Sequence, residues 1–227
     1  MNDIKLSSRL SAVLDTAIRF SPDKSRIIDV GSDHGHLAAV ALTEHGFRNA
    51  LLTDIHEDPA RKSRTLMKDL GLEDRSEVIC TDGLDGASLM ANDVVVMAGL
   101  GGNNMVDIIT RAKEVTDTEI FKTVTFILQP QKSIEIVRSF LCENGFIIRD
   151  ELVLCERGIY YPTLAASFTG EVTTLSMYEK YYGPVLKAKH EEGDPAVKEY
   201  FIRLDNSYAL RARGDQEVKD MLKEVVR

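Results

Sequence analysis

Four aspartates stand where this sequence could do chemistry: Asp29, Asp33, Asp54 and Asp82 each close or follow a short apolar run. The first two belong to the stretch DVGSDHGHL, residues 29–37, which reads as a strand, a glycine turn and the start of a helix. Gly31 lets the chain reverse at the strand's carboxyl end, and the helix that follows points unpaired backbone N–H groups toward a ligand. A dinucleotide loop requires G-x-G-x-x-G, but here Asp33 holds the place of the second glycine and His34 that of the third, just before Gly35. A carboxylate at the point of closest approach repels a pyrophosphate and favours a cation. The turn therefore suits S-adenosylmethionine, with its sulfonium and ammonium groups, better than NAD. Asp29, Gly31, Ser32, Asp33, His34 and Gly35 are its expected contacts.

The later aspartates extend the same reading. Asp54, followed by Ile55, ends a second apolar run 23 residues after Gly31, where nucleotide-binding α/β folds place a carboxylate on ribose hydroxyls. Asp82-Gly83-Leu84 follows a third run and could line the adenine, Asp82 accepting from its exocyclic amine; a simple Asp-Gly turn would look the same. After a fourth run comes Gly99-Leu100-Gly101-Gly102-Asn103, without the Asn/Asp-Pro-Pro-Tyr/Phe of many amino-methyltransferases. Its glycines predict an open floor for a planar ring and a methyl donor, with Gly99, Leu100 and Gly101 toward the cofactor and Gly102 and Asn103 toward the substrate. Gln129-Pro130 ends a fifth run, and the amide could face a base. All these segments fall at carboxyl ends of parallel strands, the ligand edge of such sheets.

Other reactive residues give less. His34 and His36 are separated by one residue and have no evident third ligand, so no metal site is expected. His45, His56 and His190 read as surface residues. Cys80, Cys142 and Cys155 are odd in number and far apart, which predicts buried free thiols.

At 227 residues, 44% hydrophobic and 28% charged, the chain can bury one substantial core and carry an appendage. No apolar run approaches the roughly 20 residues that span a bilayer, and the opening MNDIKLSSRL lacks a signal pattern. A cytoplasmic protein without membrane association is expected, with a monomer favoured. The net charge of −8 gives no overall basic footprint for nucleic acid, although residues 171–227 are nearly neutral, with 10 basic against 11 acidic.

Positioning these residues requires an α/β fold. Leu6, Leu10, Val13, Leu14 and Ala17 recur at helical spacing behind Ser7 and Ser8 as caps. Five strands follow, at 26–30, 49–53, 76–80, 93–97 and 124–128, separated by helices near 35–45, 57–70, 101–114 and 131–143. That alternation implies a doubly wound parallel sheet. Runs 146–154 and 159–168 are joined by only four residues, so they must form a terminal antiparallel hairpin. This arrangement is that of class I methyltransferases with a Rossmann-like sheet. Beyond 171 the chain is helical, with Pro184 and Pro195 opening helices and Val197, Phe201, Leu204 and Tyr208 at steps of three or four. The expected division is a cofactor-binding domain at 1–170 and a helical arm at 171–227.

Taken together, Ser8-Arg9-Leu10, Asp29 to His34, Asp82-Gly83-Leu84, Gly99-Leu100-Gly101-Gly102 and Leu128-Gln129-Pro130 resemble, in order and spacing, the bacterial tRNA (adenine(22)-N1)-methyltransferase family. The resemblance covers about residues 5–165. It departs at Gly35-His36-Leu37-Ala38, where the family reads A-Y-L-P, and at Tyr161-Pro162, where it reads Y-E. It implies a methyltransferase domain with a C-terminal coiled-coil arm, S-adenosylmethionine as cofactor and tRNA as partner. The implied reaction is methyl transfer to N1 of an adenine, for which Asp33 is the expected catalytic residue, stabilising the positive charge that develops on the base. Arg9, Gly102, Asn103, Gln129 and Pro130 are then the expected substrate contacts. Arg9, Arg61, Lys62, Arg64, Lys187 and Lys189 are the cations available to RNA phosphates. Two other readings remain open on sequence: a noncatalytic RNA-binding module that keeps a degenerate cofactor fold, and a NAD-dependent oxidoreductase.

Overall fold

Alternate residues of the central strands go to opposite faces, and this two-residue period sets the architecture. The structure is a computed structural model that describes residues 4–225; residues 1–3 and 226–227, at the outer ends of the two expected domains, lie outside the described residues. Five parallel strands form the centre: β1 (Arg26–Val30), β2 (Asn49–Asp54), β3 (Ser76–Cys80), β4 (Val94–Ala98) and β5 (Thr125–Gln129). The hairpin of β6 (Phe146–Glu156) and β7 (Ile159–Phe168) completes a seven-stranded sheet in the order β3-β2-β1-β4-β5-β7-β6. β7 runs antiparallel between β5 and β6.

One face of the sheet carries Ile27, Leu52, Val94, Val96 and Ile127 against α1 (Ser8–Arg19), α2 (His36–Glu44) and α3 (Glu57–Asp69). The other carries Ile28, Leu51, Val95, Met97 and Phe126 against α4 (Gly102–Val115), α5 (Thr118–Thr123) and α6 (Ile134–Glu143). Burying β-branched residues on both faces is what a parallel strand covered by helices requires. Ser7 caps α1, accepting from the Leu10 N–H at 3.3 Å. The hairpin closes through Arg157 and Gly158, both at positive φ (53° and 78°), the geometry of a two-residue turn whose twist matches the strands.

The C-terminal segment folds as four helices, α7 (Met177–Tyr182), α8 (Pro184–Glu192), α9 (Pro195–Arg211) and α10 (Gln216–Val225). Tyr181, Tyr182, Leu186, Val197, Phe201 and Tyr208 form their shared core, and Val153 and Tyr160 of the hairpin pack against it. Asp194 caps α9 by accepting from the Ala196 and Val197 N–H groups at 2.9 and 3.1 Å, with Pro195 at its first turn.

One expectation needs correction. Only Cys142 is buried; Cys80 and Cys155 are exposed, because one ends the edge strand β3 and the other lies near the hairpin tip. The short helix α5 lies in a stretch to which the sequence reading assigns no element: Asp117 caps it, and its single buried residue, Phe121, joins Phe126, Phe146 and Phe168. Among the described residues no helix is long and apolar enough to cross a membrane.

Candidate active site

The sheet reverses winding direction between β1 and β4, which opens a crevice at their carboxyl ends. The turn after β1 builds its floor. Gly31 and Ser32 donate backbone N–H bonds to the Thr53 carbonyl at 2.8 and 3.0 Å, locking the turn to β2. Gly31 has φ +72°, and a Cβ there would lie 3.2 Å from a Leu100 methyl. Leu100 thus sits over the turn and divides the crevice into two lobes, both of which it lines together with Gly31.

The outer lobe is a cavity of about 460 Å³. Asp54, Ile55, Asp82 and Gly83 line it, opposite Asn104, Asp107, Ile108 and Arg111 of α4. Asp54 is buried, and its two oxygens accept the Asp33 N–H at 3.2 Å and the His56 N–H at 3.0 Å. It therefore fixes both turns while facing the cavity. Arg111 binds Asp85 at 2.9 Å and Asp82 at 3.3 Å, an arrangement that orients the Asp82 carboxylate. The Asp85 hydrogen bond raises the Arg111 pKa.

The inner lobe, about 280 Å³, gathers Arg9, Asp29, Ser32, Asp33, His34 and Gly99. Asp33 adopts φ +52°, a conformation aspartate tolerates better than most residues, and leaves its side chain 73% exposed. Asp29 is different. Burial pushes its carboxyl up to about 7, against the lowering effect of the Ala38 backbone N–H and with a further rise from the Asp54 charge. Arg9 reaches in from α1, donating to Gln129 Oε1 at 2.6 Å, with its guanidinium 5.9 Å from the centre of the Tyr161 ring.

The structure keeps several expected residues out of both lobes. Gln129 is buried, its carbonyl taken by Arg9 and its amide donating to the Pro130 carbonyl at 3.2 Å, so it holds Arg9 instead of facing a base. Pro130 is buried beside it. Leu84 belongs to the core under α4. Gly102 is a packing glycine: a Cβ there would lie 2.5 Å from the Ser133 carbonyl. Gly101 faces Lys132, and Gly35 packs on Leu52 and Ser63, so the open glycine floor reduces to Gly99. Asn103 is exposed on α4 outside the cavity, and Asn104 takes the lining position, one step around the helix. Asn104, Asp107, Ile108 and Arg111 were missed, although their spacing of three and four marks one helical face.

A family model for the methyltransferase domain matches residues 6–164. The chain belongs to the methyltransferase domain family. Over 167 residues this methyltransferase domain chain is 29% identical to the tRNA (adenine(22)-N(1))-methyltransferase of Bacillus subtilis (strain 168), which bears out the family resemblance read from the motifs. The match covers 73% of the chain and 66% of that protein, just under two thirds of its length. The crystal structure of the B. subtilis M1A22 tRNA methyltransferase TrmK superposes with a TM-score of 0.78 at 23% identity, covering 99% of this chain and 95% of that one. A Streptococcus pneumoniae protein solved with S-adenosyl-L-methionine superposes with a TM-score of 0.77 at 24% identity, covering 98% and 100%. The methyltransferase fold is therefore shared along the whole described chain, the C-terminal helices included.

The donor set fits an adenosyl sulfonium ligand. The outer lobe pairs apolar walls, Ile55, Leu100 and Ile108, with carboxylates able to accept from hydroxyls and an amine. The inner lobe offers Asp29 and Asp33 to positive charge, and the arginine that also lines it, Arg9, is held by Gln129.

Proposed function

We propose that this chain transfers a methyl group from S-adenosylmethionine to N1 of an adenine in tRNA. The observation that carries the reading is the two-lobed cleft whose carboxylates suit a cationic donor and whose inner lobe opens to solvent beside Arg9. The name of the B. subtilis relative supports the choice of acceptor.

When bound, S-adenosylmethionine supplies an electrophilic methyl group. Asp54, Asp82 and Gly83 would hold its nucleoside, and Asp29 with the turn from Gly31 to His34 its charged end. Adenine N1 carries a lone pair at neutral pH, so no strong base is needed, and the protein's task is alignment. N1 lies on the Watson–Crick edge, which must leave its pair or stack before attack. The methylated ring becomes cationic, and Asp33 at the rim of the inner lobe is the group proposed to offset that charge.

Incubation with labelled S-adenosylmethionine and unmodified tRNA, followed by mass mapping of nucleosides, should place the label on N1 of adenine. An unlabelled tRNA would remove the reading, and label on another base would move it to a different acceptor. Gln129→Leu leaves Arg9 without its anchor. It should lower kcat/KM for tRNA about tenfold, the loss of one hydrogen bond to a charged group, while calorimetry shows S-adenosylmethionine affinity within about twofold of the parent.

A further inference from the structure

His34 and His36 face two cavities at once. Besides the inner lobe, they line an open groove of about 410 Å³ along α3, to which α3 contributes Arg61, Lys62, Thr65, Leu66 and Asp69. The two imidazoles stack with centroids 5.6 Å apart and 26° between planes, and both are exposed. Among the cations considered for RNA, Arg64 is bound to Glu57 at 2.6 Å and Lys189 to Asp150 at 2.6 Å. Arg61 pairs only with exposed Asp58, and Lys62 forms no ion pair among the described residues. A flat aromatic face beside two solvent-exposed cations is the chemistry that holds unpaired nucleotides, the base stacking and the phosphate neutralised.

We propose that this groove receives the nucleotide flanking the target adenine, with its base on the His36 ring and its phosphate between Arg61 and Lys62. The inference rests on the tRNA reading above. A base drawn out of its stack into the inner lobe carries its neighbour's backbone across the wall formed by His34 and His36, directly into the groove. Asp33, 3.7 Å from His34, does not line the groove, and Asp69 is its one carboxylate among the described residues, which leaves Arg61 and Lys62 as the phosphate partners.

The test compares His36→Ala, His36→Phe and Lys62→Glu with the parent in steady-state methylation of tRNA at several salt concentrations. Calorimetry with S-adenosylmethionine runs alongside. His36→Ala should raise KM for tRNA about tenfold with kcat little changed, and His36→Phe should restore it, because a phenyl ring keeps the stacking face. Lys62→Glu should raise KM and reduce the magnitude of the salt slope by about one, with S-adenosylmethionine affinity unchanged. Parent-like KM in both His36→Ala and Lys62→Glu, while the parent methylates tRNA, would overturn the groove and leave the function standing. Failure of Phe to rescue would overturn the stacking role. A parent that binds S-adenosylmethionine but never modifies tRNA would remove the function and the groove together.

Discussion

Asp29→Asn should abolish tight S-adenosylmethionine binding and at the same time make the empty protein more stable above neutral pH. Both effects follow from one buried carboxyl whose pKa is raised to about 7 by burial first, with Asp54 adding to the rise. Between about pH 4 and pH 7 the folded state holds a proton that the unfolded chain has released. Folding is then linked to proton uptake, and this group's contribution to stability falls as pH rises through that window. By pH 8 the ionised carboxylate costs the empty fold on the order of 4 kcal/mol relative to acid conditions. A cationic ligand in the inner lobe reverses the preference. Its affinity should increase from pH 6 to pH 8, with proton release on binding below pH 7, and then level off. The amide of Asn cannot ionise, so the variant should lose the pH dependence together with about 100-fold in affinity, the scale of one charge-assisted contact. Calorimetry in buffers of different ionisation enthalpy, with melting curves from pH 5 to pH 8.5, reads both. Parent-like binding by Asp29→Asn would show that the inner lobe does not hold the ligand's positive charge.

The same residue shows which parts of the site were legible in the sequence. Asp29, Gly31, Asp33 and Asp54 declare themselves because strand ends and glycine turns leave a local pattern, and a parallel sheet brings such ends to one edge. The five strands, the hairpin and the proline-opened helices were legible for the same reason: alternation, a two-residue turn and N-terminal prolines are all local. What depended on helix phase was not. Asn104 faces the cleft and Asn103 does not, a difference of one step around α4 set by where Met105, Ile108 and Ile109 enter the core. Gln129 likewise looked available for a base, and only the long-range approach of Arg9 from α1 shows that its carbonyl is occupied. The glycines at 99, 101 and 102 share a composition but not a role, since close carbonyls demand Gly102 while Gly99 lines the inner lobe beneath the Arg9 guanidinium. A sequence records the freedom of each residue; its neighbours decide the use.

Arg138→Ala should cost about 3–5 kcal/mol and free the C-terminal helices before the rest unfolds. Arg138 and Glu151 form a fully buried pair at 2.8 Å, and burial, the largest single influence and one that lowers the Arg138 pKa, is outweighed only by the Glu151 charge and hydrogen bond acting together with Tyr200 and Tyr208. The pair also closes two helix ends. Arg138 donates to the Lys180 and Tyr181 carbonyls at 3.2 and 2.9 Å, at the end of α7, and Glu151 accepts the Val185 and Leu186 N–H groups at 2.9 and 3.2 Å, at the start of α8. Gly183 between them cannot be larger, because its Cβ would lie 2.5 Å from Glu151 and 2.7 Å from Arg138. Removing Arg138 strands a carboxylate in the interior and uncaps α7. Removing both charges, as in Arg138→Met with Glu151→Leu, should recover part of the loss by ending the buried charge, but not all, since neither apolar side chain can cap α7 or α8. Urea denaturation measures the cost, and hydrogen exchange should show protection lost first across residues 177–192. S-adenosylmethionine affinity should persist, because β5 and β7 stand between β4, at whose end the lobes open, and β6, which carries Glu151, whereas KM for tRNA should rise if the helices help to hold the RNA. Uniform loss of exchange protection across the sheet and the tail would instead make the four helices part of one cooperative unit with the domain.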